Sequence, residues 1–510
     1  MSATVTTDVP LTAGAVRGRR SSAVLALARF EARELALQIG VLLGALLLVA
    51  LNAWALFGPQ DGMNDYPVLQ DADRATQTTP LLFALVLLVC VNRAVLRGRR
   101  HDTEQQFGVL VVEPWRRTLA HGLSVLPFVA FTALVVLARF TVTALRPGAV
   151  GHGSPAELAV GPLVVLLGGC AGVLLARIFP SPLGPVLFVV AVCALPVIGF
   201  DESGAGGWRP WLMLTLPEEG GVPLPSALLG RPAAWHALYL AGLAALLLCG
   251  ALLRAGGRGR AVRAAAVVAL AATVVGVAGQ SRGTPTSVTE ARRTAARTPG
   301  KVQSCVTLDG SVYCSFPEWN GLRDDWAAVV DRVRATAGAE AAGAPLTVRQ
   351  HVLETADLTS DYDLLPDDRP GRVSVGTRWG GNRVPEFAVG VATTLVAGDE
   401  KAAYDLCGAP MVTAMWLALA KEPAPLDSFR DVRIDDSLAG GAAVITPTEP
   451  LSMSARETTV VREALGQPYG SVAAKVRSNW TELTTRGTST ARAAALLGVA
   501  VPRGNDSCER

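Results

Sequence analysis

The side chains best placed for covalent chemistry are two cysteines that bracket a short hairpin pattern, SCVTLDGSVYC, over residues 304–314. Asp309 and Gly310 at its centre are the pair favoured by a two-residue type I′ turn, because both turn positions need positive φ. Counting outward from that turn places Cys305 directly opposite Cys314, in a non-hydrogen-bonded pair where side chains come closest. The spacing predicts a disulfide, with two reduced buried thiols as the alternative. The compartment decides between them, because disulfides persist outside the cytosol and are rare inside it.

An even number of cysteines follows residue 300, as a disulfide framework requires. Since the hairpin geometry fixes Cys305 to Cys314, we favour Cys407 to Cys508 as the second bond. This bond would tie the C-terminal tail to a helix. The remaining cysteines fall in apolar stretches, and they are Cys90, Cys170, Cys193 and Cys249.

We find no catalytic constellation in the sequence. The five histidines are scattered without metal-ligand spacing, and no H-E-x-x-H, G-x-S-x-G or G-x-x-x-x-G-K-[ST] pattern occurs. The acidic stretch DYDLLPDDRPG lacks the ligand order and glycine of a calcium-binding EF-hand. We therefore predict no catalytic residue, no metal, no cofactor and no enzyme activity of the chain by itself. No basic and aromatic stripe indicates nucleic acid as a partner.

Composition indicates that much of the chain lies in a lipid bilayer. Apolar residues make up 50% of the 510 residues and charged ones 17%, against about 25% charged in ordinary soluble proteins. The first 280 residues are basic and poor in charge, whereas the rest is slightly acidic. Buried helices of a large soluble domain would leave too little polar surface to cover so many apolar runs. We predict seven membrane spans, near 37–57, 78–96, 119–142, 157–177, 183–200, 233–253 and 262–279.

Arginines collect in alternate loops, and short cytoplasmic loops are enriched in Lys and Arg. This bias predicts a cytoplasmic N-terminus in the plasma membrane, and seven spans then place the C-terminal domain outside. The arginines on the predicted inner side are Arg17, Arg19, Arg20, Arg29, Arg33, Arg93, Arg97, Arg99, Arg100, Arg116, Arg117, Arg177, Arg254, Arg258, Arg260 and Arg263. The outer loops offer Arg74, Arg146, Arg209 and Arg231.

Ionisable residues within the spans are scarce in this interpretation, with Arg93 near an inner end and Glu157 at an outer end. An ion-driven transporter would need buried carboxylates or histidines midway through the bilayer, and we predict no such relay. Between the fifth and sixth predicted spans, GWRPWLMLTLPEEGG is too short and too broken by Pro and Gly to cross. This segment could lie in the outer membrane interface or enter the membrane partway. The alternative is a plain external loop.

Two segments could form a docking surface on the inner side. Residues 22–38, SAVLALARFEARELALQ, predict an interfacial amphipathic helix that leads into the first span. The inner loop over residues 97–122, RGRRHDTEQQFGVLVVEPWRRTLAHG, predicts a short helix with Asp102 or Thr103 as N-cap, ended near Pro114.

These features resemble the permease subunits of type-2 ABC exporters (ABC-2 type permeases) of actinobacteria. The resemblance covers about residues 20–255 and rests on the amphipathic entry helix, the order of spans and loops, and the inner loop of the form H-D-T-E followed by E-P-W-R-R-T-L-A. It implies a coupling helix that rests in a cleft of a separate ATPase subunit, with Glu104, Glu113, Arg116 and Arg117 as contacts. It also implies a second permease protomer, identical or different, and an unknown transported substrate.

We therefore predict an α-helical polytopic membrane protein with a C-terminal α+β extracytoplasmic domain. Its parts are a cytoplasmic N-terminus with the entry helix (1–36), a six-helix transmembrane domain (37–255), a seventh transmembrane helix (256–280), a linker or short helix (281–302) and the outer domain (303–510). In that domain we predict helices near 321–337, 385–397, 401–420, 455–466, 469–483 and 488–498, a strand within 345–352, and a capping box of Ser454 and Glu457.

Two functions compete at this point. The first is the permease of an ATP-driven transporter, an exporter by resemblance, which moves its substrate by alternating access. The alternative is a membrane-anchored receptor or assembly protein whose outer domain binds a ligand or partner. Association with an ATPase separates the two.

Overall fold

The computed structural model describes residues 13–58, 65–97, 113–181, 183–199, 214–215, 223–354, 364–435, 438–501 and 503. These residues form a bundle of long apolar helices with a mixed α and β domain at one end. Among the described residues, six helical stretches are long and apolar enough to cross a membrane, which identifies a multi-pass membrane protein. They are Ile39–Phe57, Leu69–Val95, Pro114–Ala144, Pro155–Ile178, Ala233–Arg254 and Arg260–Gln280.

Some of these stretches consist of two helices in succession. The bundle helices are α1 (Ala13–Ala36), α2 (Ile39–Phe57), α3 (Leu69–Ala75), α4 (Thr78–Val95), α5 (Pro114–Leu123), α6 (Leu126–Ala144), α7 (Pro155–Ile178), α8 (Gly184–Gly199), α9 (Ser226–Leu229), α10 (Ala233–Arg254) and α11 (Arg260–Gln280).

Contacts between helix ends show which helices begin at the end of the bundle that carries the C-terminal domain. At the domain end, the N-cap of α7, Ser154, donates its backbone N–H to Asp73, and Arg231, which precedes α10, lies 3.8 Å from the same carboxyl group. Helices α7 and α10 therefore begin at the same end, so the chain has to return across the bundle between Ile178 and Ala233. Helix α8 lies in this interval, with 16 residues and a length of about 24 Å.

The fifth predicted span, 183–200, coincides with α8, which is shorter than the roughly 30 Å of a hydrocarbon core. The residues after it, 200–213, are outside the described part of the chain, and so is the GWRPWLMLTLPEEGG segment except for residues 214–215. The parallel course of α7 and α10 implies a further crossing between them. Because only α8 of that interval is described, the seventh span stays a prediction.

Small residues bring α7 into close contact with α4. A Cβ atom at Gly168 would lie 2.6 Å from the carbonyl oxygen of Ala84, and one at Gly172 would lie 2.5 Å from that of Leu88. Asn92 of α4 donates to the carbonyl oxygen of Gly172 across 3.3 Å. Close backbone approach at glycines is the usual basis of helix packing in lipid, where no hydrophobic force draws helices together.

A four-stranded sheet forms the part of the C-terminal domain nearest in sequence to the bundle, in the order β1-β2-β3-β4. The strands are β1 (Ser304–Leu308), β2 (Ser311–Ser315), β3 (Thr347–Gln350) and β4 (Arg372–Val375). Strands β1 and β2 are antiparallel, whereas β2, β3 and β4 run parallel. The sequence predicted β3 but not β4, which follows the acidic loop.

The hairpin and its disulfide are confirmed. Asp309 and Gly310 have φ values of 46° and 80°, and every strand pair has the predicted register. Cys305 and Cys314 are bonded, with a Cα–Cα separation of 4.1 Å that suits a non-hydrogen-bonded pair. Cys407 is also disulfide-bonded, while Cys508, its predicted partner, is outside the described residues.

The remaining domain helices surround a core rich in aromatic residues. They are α12 (Thr286–Arg297), α13 (Arg323–Arg334), α14 (Ala339–Gly343), α15 (Arg383–Ala397), α16 (Glu400–Ala403), α17 (Ala409–Leu419), α18 (Pro425–Asp431), α19 (Ala455–Leu465), α20 (Tyr469–Ser478), α21 (Trp480–Thr484) and α22 (Thr490–Leu497). Short 3-10 turns lie at Pro299–Lys301 and Pro317–Leu322, and a second sheet pairs β5 (Ala442–Val444) with β6 (Leu451–Met453).

Two predicted helices are interrupted. The predicted helix 401–420 is two helices, α16 and α17, because Gly408 between them has a φ of 67° and its Cβ position would collide with the carbonyl oxygen of Thr488. The predicted helix 469–483 is likewise divided into α20 and α21 at Asn479. The capping box at the start of α19 is confirmed, with Ser454 and Glu457 each bonding the other's backbone N–H.

The segment predicted as a linker or short helix contains helix α12, which joins the bundle to the domain. Arg292 of α12 donates to the carbonyl oxygens of Leu228 and Leu229, both at 2.6 Å. Ala295 on the same helix is buried in the domain core. The connection is therefore packed structure along this helix.

A buried carboxyl group joins β4 to α16. Glu400 accepts hydrogen bonds from the backbone N–H and hydroxyl of Ser374 and from the backbone N–H of Asp367. Burial nevertheless raises the pKa of Glu400 from 4.5 to about 7, since desolvation outweighs these bonds. Burial beside Arg349 lowers the pKa of His351 from 6.5 to about 4.

These two shifts predict opposite pH dependences. The folded domain keeps a proton on Glu400 between pH 4.5 and about 7 that the unfolded chain releases, so the free energy of unfolding falls as pH rises through this window. The unfolded chain binds a proton on His351 between pH 6.5 and about 4 that the folded one excludes, so stability falls as pH drops. We expect Glu400→Gln to remove the decrease in unfolding free energy that accompanies rising pH, about 3 kcal/mol. We expect His351→Gln to remove the decrease that accompanies falling pH. The measurement is tryptophan-monitored thermal unfolding from pH 4 to 8, and a Glu400→Gln profile parallel to that of the parent would contradict the assignment.

Candidate functional site

Three of the four predicted coupling residues, Glu113, Arg116 and Arg117, lie together at the start of α5, while Glu104 is outside the described residues. Glu113 is the N-cap of this helix and Pro114 occupies its first turn. The proline therefore begins a helix, because its missing N–H would have no partner there anyway. The predicted helix before Pro114 falls on residues 98–112, also outside the described part.

Glu113 holds the first turn of α5 in a defined shape. Its carboxylate accepts from the indole N–H of Trp115 at 2.5 Å and from Arg116 Nε at 3.1 Å. The guanidinium of Arg116 lies 5.1 Å from the centre of the Trp115 ring, within cation–π range. Glu113 is exposed and Arg116 half-buried, so this turn presents a carboxylate, a guanidinium and an indole to any partner at this end.

Helix α1 packs beside α5 and is fixed to the end of α4. Arg97, just after α4, lies 3.5 Å from both Glu31 and Glu34 of α1, and His121 of α5 lies 3.8 Å from Glu31. Burial raises the pKa of Glu31, and the charge of Arg97 opposes this rise. One side of the entry helix is buried at Val24, Ala28 and Leu35, whereas its described arginine side chains are exposed together with Leu25 and Phe30. We call α1, α5 and Arg97 the entry platform.

A second polar cluster, which the sequence analysis missed, lies at the domain end. Its centre is Glu157, which is 1% exposed and lies in the first turn of α7. Arg74 lies 3.2 Å from one of its oxygens, and Gln77 donates to the other. A carboxylate buried this deeply is stable only when its charge is paired and its lone pairs are hydrogen-bonded.

The cluster extends from the bundle toward the following loop. Arg231 lies 3.5 Å from Asp71 and 3.8 Å from Asp73, and it donates to the carbonyl oxygen of Gln70. Asp73 in turn accepts the backbone N–H of Ser154 at 2.7 Å. Helices α3, α7 and α10 are thereby fixed to one another by charge-assisted bonds, which are about twice as strong as neutral ones.

Glu318 of the C-terminal domain completes the cluster. Its carboxylate accepts the backbone N–H of Ser226 at 3.0 Å and lies 3.5 Å from both Gln70 Nε2 and His152 Nδ1. Nearby, Val150, Leu224 and Leu229 of the bundle loops belong to the same buried apolar cluster as the domain core. We call this cluster the polar junction. Its members are Gln70, Asp71, Asp73, Arg74, Gln77, His152, Glu157, Arg231 and Glu318.

The sequence contained one signal for this cluster. Gln70, Asp73, Arg74 and Gln77 recur at helical spacing, which places them on one side of a helix that leads into a span. Arg231 lies in the loop before α10 as predicted, and Arg74 lies in the short helix α3. Arg139, within a predicted span, was not predicted as a paired residue. Arg139 donates to the side chain of Asn52 and to the carbonyl oxygen of Ala75, each at 3.2 Å.

Comparison of the chain with protein-family models, curated proteins and solved structures returned no match. Among the described residues, no group of three or more His, Cys, Asp or Glu side chains is arranged to hold a metal ion.

Removing the Glu318 carboxylate should loosen the domain from the bundle. In Glu318→Ala the backbone N–H of Ser226 and the amide of Gln70 lose a charged acceptor, which costs about 2–3 kcal/mol. We expect a lower melting temperature and faster amide hydrogen exchange at residues 224–231. Glu354→Ala is the matched control, because the partners of Glu354 among the described residues are exposed Arg293 and Arg297, and its loss should change little. Equal effects of the two variants would show that Glu318 has no special role.

Proposed function

We propose that this chain is the membrane-spanning permease subunit of an ATP-driven transporter of the type-2 ABC class, an exporter in which a separate subunit hydrolyses ATP. The entry platform is the observation that carries the proposal. Helix α1 packs against α5 at Ala120 and His121. The first turn of α5 presents a charged surface in which Glu113 bonds Trp115 and Arg116. Such a surface suits a soluble partner at the end of the bundle opposite the C-terminal domain.

The platform is connected to the transmembrane helices, as transmission of force requires. Arg97 ties α1 to the end of α4, and Gly122 of α5 lies against Leu248 of α10. A partner that moves α5 therefore acts directly on α4 and α10. Both helices pack against α7, which contacts the polar junction at its other end.

Orientation is part of the proposal. The end with the entry platform would be cytoplasmic, because its loops carry most of the arginines, and the disulfide-bonded domain would be extracytoplasmic. The opposite arrangement would expose a disulfide to a reducing compartment. A second protomer would pair through lipid-facing helices, of which α2 and α11 expose many large apolar side chains.

The second candidate, a receptor or assembly protein, is favoured by one observation. The outer domain shares a continuous apolar core with the bundle loops, as a rigid ligand-sensing unit would. The experiment on the entry platform distinguishes the two candidates, because a receptor needs no ATPase.

Reversing the charge of the first turn of α5 should uncouple transport from ATP hydrolysis. We expect the chain to co-purify with an ATPase subunit from its native membrane and to stimulate its ATP hydrolysis. Glu113→Lys breaks the bonds to Trp115 and Arg116, so the stimulation should fall by about tenfold, equivalent to about 1.4 kcal/mol of coupling.

Glu290→Lys is the control for this experiment, since Glu290 is exposed on α12 in the outer domain region. It should leave the stimulation unchanged. If no ATPase associates with the parent chain, or if Glu113→Lys stimulates as fully as the parent, the permease proposal fails.

The disulfide provides a test of orientation. In intact cells treated with a membrane-impermeant reductant and then a membrane-impermeant maleimide, Cys305, the exposed member of the pair, should be labelled. A cysteine introduced at exposed Arg258, in the loop between α10 and α11, should be labelled only after the membrane is permeabilised. The reverse pattern would place the domain in the cytoplasm.

A further inference from the structure

A cavity of about 400 Å³ lies within the polar junction. Residues from three parts of the bundle line it, and they include Gln70, Asp73, His152, Ser154, Glu157 and Arg231. His152 stands at its mouth with 77% of its side chain exposed, so the cavity can be reached from the domain end. Its size falls in the range of sites for small organic molecules, about 300–1,000 Å³.

The charges around the cavity do not balance. The carboxylates are those of Asp71, Asp73, Glu157 and Glu318, and the guanidiniums among them are those of Arg74 and Arg231. Arg378 also acts on Asp71 from the domain side. Counting it, these four carboxylates exceed the three guanidiniums by one among the described residues. The surroundings therefore favour a cation, because an excess charge in a partly buried site has to be neutralised.

Two buried acceptor atoms in the lining lack a hydrogen bond. Gln70 Oε1 and Asp73 Oδ1 have no hydrogen-bond partner among the described residues, and both side chains are 1% exposed. Nη1 of Arg231 lies 3.8 Å from Asp73 Oδ1, which is too distant for a hydrogen bond. Such atoms are costly to bury, and a ligand with N–H donors would satisfy them.

We propose that this cavity binds a small organic cation through an ammonium group, which donates to the Asp73 carboxylate and the Gln70 amide oxygen in the field of Glu157. An ammonium supplies three donors and one positive charge, which matches the unpaired acceptors and the excess carboxylate. A bare metal ion is a poorer match, since the described side chains contain no suitable ligand group and the cavity is much larger than an ion. The inference is independent of the proposed transport function, because it concerns binding to the chain without an ATPase.

Equilibrium dialysis of the purified full-length chain tests the inference with putrescine as probe. We expect saturable binding that n-butylammonium competes and that neither 1,4-butanediol nor succinate competes. Binding of the diol as tight as that of the diamine, or no saturable binding, would overturn the proposal. Displacement by calcium but not by butylammonium would also overturn it, in favour of a metal site.

Variants locate the binding in this cavity. His152→Lys places a fixed positive charge at the exposed mouth, 3.5 Å from Glu318 in the parent, and should weaken putrescine binding at least tenfold without disturbing the fold. Glu354→Lys adds a comparable charge to the exposed surface of the outer domain and should have no effect. Asp73→Asn, checked for an unchanged melting temperature, should abolish binding. If His152→Lys and a folded Asp73→Asn both bind as the parent does, the site is elsewhere and the proposal fails.

The ammonium could belong to a free amine or to a lipid headgroup, and the same assay separates these sources. In phosphatidylglycerol nanodiscs with added phosphatidylethanolamine, a lipid that occupies the cavity would lower the apparent affinity for putrescine. An unchanged affinity would assign the cavity to a soluble amine. Either result supports an ammonium site.

Discussion

The ion pair between Glu157 and Arg74 is the constraint on which the domain end of the molecule depends. Both side chains are buried, so neither can lose its partner without leaving an uncompensated charge, a cost of about 3–5 kcal/mol. The pair forces the start of α7 to lie beside the end of α3. That position lets Asp73 accept the N–H of Ser154 and brings Arg231 to Asp71 and Asp73. The relative placement of three bundle helices follows from the pairing of charges in a region where water is scarce.

Polar contacts at the same end of the bundle also hold the C-terminal domain in place. Glu318 lies in the 3-10 turn just before α13, so its carboxylate is positioned by the domain, whereas the N–H group of Ser226 that it binds is positioned by the bundle. Arg292 adds two bonds to the carbonyl oxygens at the end of α9. Polar contacts fix the relative orientation of the two surfaces in this largely apolar interface, because apolar contacts alone do not specify one orientation.

Local features of the fold could be predicted from the sequence, whereas features set by distant contacts could not. The hairpin was predictable in full, because Asp309 and Gly310 determine the turn and the turn determines that Cys305 meets Cys314. The capping box of Ser454 and Glu457 is equally local. The break at Gly408 was not predictable, because it depends on the carbonyl oxygen of Thr488, far away in the chain. The parallel pairing of β3 with β4 likewise depends on tertiary contact across a long loop.

The polar junction shows which information charge counts alone do not carry. The positive-inside rule treats each arginine as independent of the others, so it does not predict the partners of Arg74 and Arg231. Helical spacing carries the missing information, since Gln70, Asp73, Arg74 and Gln77 share one side of a helical stretch that leads into a span. A polar stripe on a helix that enters lipid has to face protein, because unpaired charges in hydrocarbon are costly. Where such a stripe leads into a span, its partners should be sought among the charges that begin the neighbouring helices. Glu157 at the start of α7 and Arg231 just before α10 occupy those positions here.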